Sequence, residues 1–323
     1  MPNFKDELIR YRVQAQDGYP DAITQHHTLK DELRVKEKVS KPRTFGVDSL
    51  TTQFEMKRLL GEVMMHIRAH RMFSGCMMGV NPYVEFNYMH GVLKKAKYVW
   101  DGDIGEYDAS VSPEVQDMLN EELIDRFDGE EEDKNVLRRV LELSVRSWVV
   151  AGNREYMKTH GILSGMWITN LFNSIINRCY TAGWYYREMV KRGLRPDINK
   201  FFDEVTVYVQ GDDQLCAVGH TAIEELNAVT MAQYYESLGM TYTDGKKGAI
   251  TRKSMPLEEV SFLKRRFAYH VQLEKVVGIL DLETIMNSLM WYKDDNDPNE
   301  ILTNKLRAAQ MELYLHRFSV RLS

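Results

Sequence analysis

Residues 205–218, VTVYVQGDDQLCAV, constrain this chain more than any other stretch. Val205, Val207 and Val209 alternate with Thr206, Tyr208 and Gln210, the two-residue period of a strand with one buried face. Leu215, Cys216, Ala217 and Val218 resume the apolar run beyond Gly211-Asp212-Asp213. The pattern predicts a β-hairpin with a pair of acids at its tip. Adjacent carboxylates repel, and a site that keeps both ionised commonly holds a divalent cation. An Asp-rich turn explains the tripeptide alone equally well, because Asp and Gly are favoured turn formers. The flanking segments decide between the two.

Upstream, YVWDGDIGEYDASVSP begins as a strand at Tyr98–Trp100 and continues as an acidic loop. Asp103 and Asp108 stand five positions apart, and Asp101 reads as a solvated loop acid. Ser112, Pro113 and Glu114 form a helix start, with a cap, a proline at the first position and an acid in the first turn. Val115, Leu119, Leu123 and Phe127 carry that helix to about residue 127. A carboxylate at a strand end approaches one at a hairpin tip when the two strands are neighbours. Two metals about 3.5–4 Å apart would then clamp the attacking and leaving oxygens of a phosphoryl transfer.

A third segment, GILSGMWITNLFNSIINRCYTAGW, is a Gly-containing loop leading into a long helix. Thr169, Asn173 and Asn177 recur every four residues and share a face, with Leu171, Ile175 and Ile176 opposite. Hydroxyls and amides on one stripe suit hydrogen bonding to sugar or backbone and suit acid–base work poorly. The plainer alternative is a polar solvent face. Gly165, just ahead of the stripe, permits close approach of backbone to a ligand.

In this order the three segments resemble the palm of an RNA-dependent RNA polymerase from the picorna-like positive-strand RNA viruses. Asp103 and Asp108, followed by Ala109-Ser110, match the first acidic motif of that family. Ser164, Gly165, Thr169, Asn173 and Ser174 match the second, and Gly211-Asp212-Asp213 the third. The family usually places Tyr before that glycine, where this chain has Gln210. LKDELRVKEKVSKPRTF resembles the basic segment that covers the triphosphate, and its net-basic run suits contact with a polyanion. GVNPY resembles a short signature ahead of the first acidic motif. ESLGMTYTDGKKGAI resembles the motif bearing a lysine near the pyrophosphate, with Lys247 the better match and Lys246 the second. VSFLKRRF resembles the primer-grip hairpin. The likeness spans about Leu29 to Phe267.

The resemblance implies an α+β right-hand polymerase with an antiparallel-sheet palm, helical fingers elements and a truncated helical thumb. It places partial fingers in 1–97, the palm in 98–267 with a fingers insertion at about 128–160, and a partial thumb in 268–323. It implies RNA-templated RNA synthesis, with template, primer or product RNA and nucleoside triphosphates as partners. A viral protein primer and other replication proteins follow by the same likeness, in host cytoplasm at membrane-associated replication complexes. The implied cofactor is a pair of Mg²⁺ ions, with Mn²⁺ as a substitute, held by Asp103, Asp212 and Asp213. Lys247 would act at the pyrophosphate. Asp108, Ser164, Gly165, Thr169 and Asn173 would face the incoming nucleotide. Lys41 and Arg43 would hold its triphosphate, with Lys30 and Arg34 beside them. Lys264 and Arg265 would grip the RNA backbone. The likeness also implies a missing part, since only 28 residues precede Leu29 and two helices, Asp281–Tyr292 and Asn299–Phe318, stand for the thumb.

Composition bounds these expectations. The 323 residues are 44% hydrophobic, enough for a core in one large or two ordinary domains. The net charge of −5 is compatible with nucleic acid because bases cluster in 30–43, 94–97 and 252–266. The acids of 128–134 read as a solvated connection between helices. Cys76, Cys179 and Cys216 lack zinc-ligand spacing and read as reduced thiols. No apolar run reaches membrane-spanning length. Two rivals stand beside the polymerase. A reverse transcriptase would need an aromatic side chain in the space of the 2′ hydroxyl, and an inactive palm fragment would bind RNA without turnover.

Overall fold

The computed structural model describes residues 3–17, 24–30, 40, 43–162, 164–290 and 297–321. Along the chain the elements begin with α1 (Phe4–Gln16), β1 (Thr24–Leu29), β2 (Thr44–Val47), α2 (Leu50–Ala69), α3 (Arg71–Ser74) and α4 (Glu85–Leu93). There follow β3 (Tyr98–Ile104), α5 (Tyr107–Ser110), α6 (Pro113–Asp125), α7 (Glu131–Val145), β4 (Ser147–Ala151), β5 (Arg154–Lys158) and α8 (Thr169–Lys191). Next come α9 (Ile198–Glu204), β6 (Val205–Gln210), β7 (Asp213–Val218), α10 (Ala228–Ser237), β8 (Tyr242–Thr243) and β9 (Ser261–Phe262). The last are β10 (Arg265–His270), β11 (Lys275–Leu280), α11 (Leu282–Leu289), α12 (Pro298–Arg317) and β12 (Ser319–Arg321). The chain divides into two compact units, residues 1–70 with 106–177 and residues 71–105 with 178–323.

The first unit packs α1, α2 and α7 beside a four-stranded sheet in the order β2-β1-β4-β5. Its β1 and β4 run parallel and the other neighbours antiparallel. Glu55 on α2 is fully buried, and a lone buried carboxylate would be costly. Arg12 at 2.8 Å and Arg58 at 2.7 Å neutralise it, and Arg58 also reaches Asp133 at 2.6 Å. The acidic run is therefore partly anchored: Glu131, Glu132 and Asp133 open α7, where acids favour a helix N-terminus. Ser112 caps α6 as its sequence signature requires, its hydroxyl accepting from Val115 N–H at 3.4 Å. The helix ends at Asp125, slightly short of the expected residue 127.

The second unit is built on an antiparallel sheet in the order β6-β7-β3-β8. The 205–218 segment forms the expected hairpin, with Gln210 paired to Asp213 across Gly211 and Asp212. Gly211 has φ +68°, a left-handed conformation that glycine adopts without a Cβ penalty. Residues 75–77 lie along β6 as a short parallel edge: Met77 N–H donates to Val209 O, and Val209 N–H to Gly75 O, both at 2.8 Å. Met77, Phe86, Met89, Leu93, Val99, Tyr208, Leu215, Phe262 and Phe267 form one core cluster. A second sheet places β10 against β9, β11 and β12. The two expected C-terminal helices are present as α11 and α12, with residues 291–296 outside the described residues.

The expected strand at 98–100 continues to Ile104, so Asp101 and Asp103 lie on β3 rather than in a loop, and Asp108 lies on the short α5. Asp101 is a correction to the sequence expectation. It is 3% exposed, enclosed by β7 on one side and by residues 245 and 261 on the other.

Candidate active site

In the second unit, β3 and β7 pair antiparallel with Asp103 directly opposite Asp213. Residues opposite one another project from the same face with Cβ atoms about 4.5–5.5 Å apart. Two remote segments thus bring two carboxylates side by side. Asp212 sits at the exposed hairpin tip, one residue before the strand. Burial, and then the charges of Asp212 and Asp103, push the Asp213 carboxyl up to about 6.

Lys247 supplies the counter-charge. Its ammonium donates to Asp103 Oδ2 and forms an ion pair with it. The lysine itself has φ +67°, an uncommon conformation for a residue with a Cβ. A turn holds it there: Lys247 N–H donates to Asp244 O at 2.9 Å, and Asp244 Oδ1 accepts from Gly248 N–H at 2.6 Å and Lys246 N–H at 3.0 Å. Lys246 makes no comparable approach to an acid through its side chain among the described ion pairs.

Among the described residues, no three His, Cys, Asp or Glu side chains close on one point as a preformed metal cage. The expected convergence of three acids is therefore two facing carboxylates with a third at the turn. The donor set still fits a divalent cation. It consists of hard carboxylate oxygens, one strained by like charges, with a lysine ammonium already drawn to Asp103.

This electrostatic strain makes a stability prediction. A folded-state pKa raised above the unfolded value of about 4 penalises folding wherever the group is ionised. The penalty is fully present above pH about 6 and disappears as pH falls towards 4. A rise from 3.8 to about 6 corresponds to about 2–3 kcal/mol. Asp213→Asn should therefore raise the Tm by roughly 3–6 °C at pH 7.5 in chelator, and by nothing measurable at pH 4. Thermal melts of the two proteins across that range check it.

The first unit holds the polar groups. Asn173 Nδ2 donates to Asp108 Oδ1 at 2.6 Å, and the Ser164 hydroxyl donates to the other carboxylate oxygen. Tyr107 fixes the backbone beneath, its hydroxyl donating to Asn173 O at 3.1 Å. Asn173 is 5% exposed, and its Oδ1 is buried without a hydrogen-bond partner among the described residues. Asn177 is fully buried, so the stripe on α8 is not a solvent face. Thr169 begins α8, its N–H donating to Met166 O at 3.2 Å.

Gly165 is required for a different reason from the one its sequence suggested. A Cβ built there would lie 1.6 Å from Gly46 O on β2, so the close approach is to protein backbone. Lys30 and Arg43 are exposed beside the β1–β2 pair, Lys30 N–H donating to Arg43 O at 2.8 Å. Arg34 and Lys41 lie outside the described residues. In the second unit, Leu263 and Lys264 have φ +54° and +61° and form the turn between β9 and β10, with Lys264 exposed. Arg265 is turned inward instead. Its guanidinium bonds Glu312 through two nitrogens at 2.7 and 2.9 Å and Gly278 O at 2.8 Å. Those donors anchor α12, which a sequence window around 265 could not reveal because the partner lies 47 residues away.

The family model for viral RNA-dependent RNA polymerase matches residues 5–319. The replicase polyprotein of Drosophila C virus is 29% identical over 306 residues, covering 90% of this chain and 17% of the polyprotein. That of Cricket paralysis virus is 28% identical over 315 residues, again 90% and 17%. The genome polyprotein of Rice tungro spherical virus is 26% identical over 327 residues, 98% of this chain and 9% of the polyprotein. The chain thus spans less than a fifth of the length of these relatives. Among solved structures, a Sicinivirus 3Dpol RNA-dependent RNA polymerase superposes with a TM-score of 0.76 at 19% identity, over 97% of this chain and 70% of that one. The likeness is one of fold: helices with antiparallel sheets, as in a right-hand polymerase.

Proposed function

The chain belongs to the viral RNA-dependent RNA polymerase family, in its picorna-like group, and from that membership we propose that it catalyses RNA-templated RNA synthesis. The primer 3′ hydroxyl gives up its proton to water, its oxygen bonds to the α-phosphorus of a nucleoside triphosphate, the bond to the bridging oxygen breaks, and pyrophosphate leaves. The observation that carries this reading is the cross-strand opposition of Asp103 and Asp213 beside the Lys247 ammonium.

Asp103, Asp212 and Asp213 would hold divalent cations, two Mg²⁺ with Mn²⁺ as a substitute. Bound there, such ions supply activation of the primer hydroxyl and neutralisation of phosphate charge. The acids themselves fix two oxygens on one sheet face, from strands that cannot slip without breaking the register. Lys247 either protonates the departing pyrophosphate or assists it electrostatically with its ammonium in place. Its attachment to Asp103 keeps it at that face.

Asp108 and Asn173 recognise the sugar. The carboxylate of Asp108, fixed by Ser164 and Asn173, accepts from the ribose 2′ hydroxyl, and the Asn173 amide donates to that hydroxyl. A deoxyribose would forfeit both bonds and leave those polar groups unsatisfied. Gly165 and Thr169 keep the loop and helix start in place, and Arg43 and Lys30, with Lys41 and Arg34, attract the triphosphate. Lys264 at its hairpin turn is the better-placed contact for the RNA backbone. Arg265 supports it by securing α12. The proposed setting is replication of a positive-strand genome in host cytoplasm at membrane-associated complexes, with other replication proteins and a viral protein primer. Among the described residues no helix is long and apolar enough to cross a membrane.

The test is primer extension on an RNA template with each NTP and dNTP in Mg²⁺. Extension with template-matched NTPs is expected. RNA binding without extension would replace the reading with a binding fragment, and equal or better use of dNTPs would replace it with a reverse transcriptase.

A further inference from the structure

Asp101 has no part in the reaction as described, yet it is among the most enclosed charged groups of the second unit. Its Oδ1 accepts from Gly245 N–H at 3.2 Å, and its Oδ2 accepts from Ser261 N–H and from Ser261 Oγ–H, both at 2.8 Å. The first of these bonds continues the β3–β8 ladder by other means. That ladder pairs Asp103 with Thr243 and ends there, because the chain leaves β8 to make the 244–248 turn. In the same register, position 245 falls opposite position 101, and the side-chain carboxylate takes up the N–H that no strand partner receives. Gly245 fits closely: a Cβ there would lie 2.8 Å from Asp101 Oδ2 and 2.9 Å from Ser261 Oγ. The other two bonds hold the first residue of β9, whose hairpin with β10 carries Lys264 at its turn.

We propose that Asp101 is a positioning residue that clamps the Lys247 turn and the Lys264 hairpin to the strand bearing Asp103. One carboxylate ties two loops, each carrying a lysine, to β3 two residues before the acid that Lys247 engages. The turn benefits from such a clamp, because it holds a lysine at positive φ and closes on itself through the Thr243–Ala249 bridge and the Asp244 bonds. The catalytic part of this inference rests on the polymerase reading; the clamp itself does not.

Asp101→Asn preserves shape but leaves only one acceptor oxygen, so the Gly245 and Ser261 bonds cannot all persist. The first measurement is amide hydrogen exchange without metal or nucleotide. Exchange in 244–248 and in 261–266 should rise together by about tenfold or more, with β6 and β7 unchanged. Unchanged exchange in either segment overturns the clamp, whatever the enzyme does. The second is a double-mutant cycle on kcat for single-nucleotide addition. Asp101→Asn should lower kcat about 10- to 100-fold with KM for NTP within threefold. In a Lys247→Ala background the same substitution should cost less than threefold in kcat, because the Lys264 hairpin acts on RNA binding and the effect on turnover passes through Lys247. Fully multiplicative losses would overturn the positioning role. Absence of extension by the wild type, with the exchange result as expected, would remove the polymerase reading and leave the clamp.

Discussion

Asp103→Asn should lower template-directed nucleotide addition by about a thousandfold or more while RNA affinity stays within a few-fold. Several kcal/mol of transition-state charge stabilisation is the usual contribution of a cation-bearing carboxylate, and each 1.36 kcal/mol is about tenfold in rate. The substitution removes one of two facing negative charges and the ionic partner of Lys247 at once. It acts on charge that develops during the reaction, so the loss belongs in kcat and not in binding. Single-turnover extension on a preassembled primer–template reads it directly. Activity within tenfold of wild type would remove Asp103 from the chemistry. The fold offers an internal control, because Asp213→Asn, across the ladder, should be equally impaired yet more stable to heat.

The second large effect is expected at Asn173. Its amide nitrogen donates to Asp108 and orients the carboxylate, and the second amide N–H remains for a substrate hydroxyl. A substrate hydroxyl accepts from that amide and donates to the carboxylate, and the loss of one such bond is worth about 1–3 kcal/mol. Asn173→Ala should therefore reduce the preference for NTP over dNTP, as a ratio of kcat/KM, by about 10- to 100-fold. Most of the change should come from slower use of NTP. Ser164→Ala removes only the hydroxyl that fixes Asp108 and should relax the ratio by a smaller factor. A ratio unchanged in Asn173→Ala would remove the amide from sugar recognition.

Local chemistry wrote much of this fold legibly. The alternation across 205–218, the Gly-Asp connection and the Ser112-Pro113 helix start each depend on neighbours within a few residues, and each forms as its pattern dictates. Partners distant in sequence were not legible. Asp101 looked like a solvated acid because the groups that enclose it come from residues 245 and 261. Arg265 looked like an RNA contact because Glu312 lies beyond any local window. At Gly165 the room that the sequence pattern reserves for a ligand is taken by Gly46. The polar residues on α8 alternate with apolar ones much as on a surface helix, and only tertiary packing reveals that Asn173 and Asn177 are enclosed. Charge and polarity mark which residues carry chemistry; which of them face substrate and which face other protein depends on the long-range pairing of strands.

The left-handed backbone at residue 247 sets selection for robustness against selection for turnover. Glycine would occupy that conformation without the cost, on the order of 1 kcal/mol, that a lysine bears there. Libraries sorted only for heat tolerance or expression should therefore drift to glycine or asparagine at this codon, together with neutral replacements at 213. Such winners would be sturdy, well-behaved proteins with silent chemistry, and a screen that scores copying alongside folding is needed to keep the lysine.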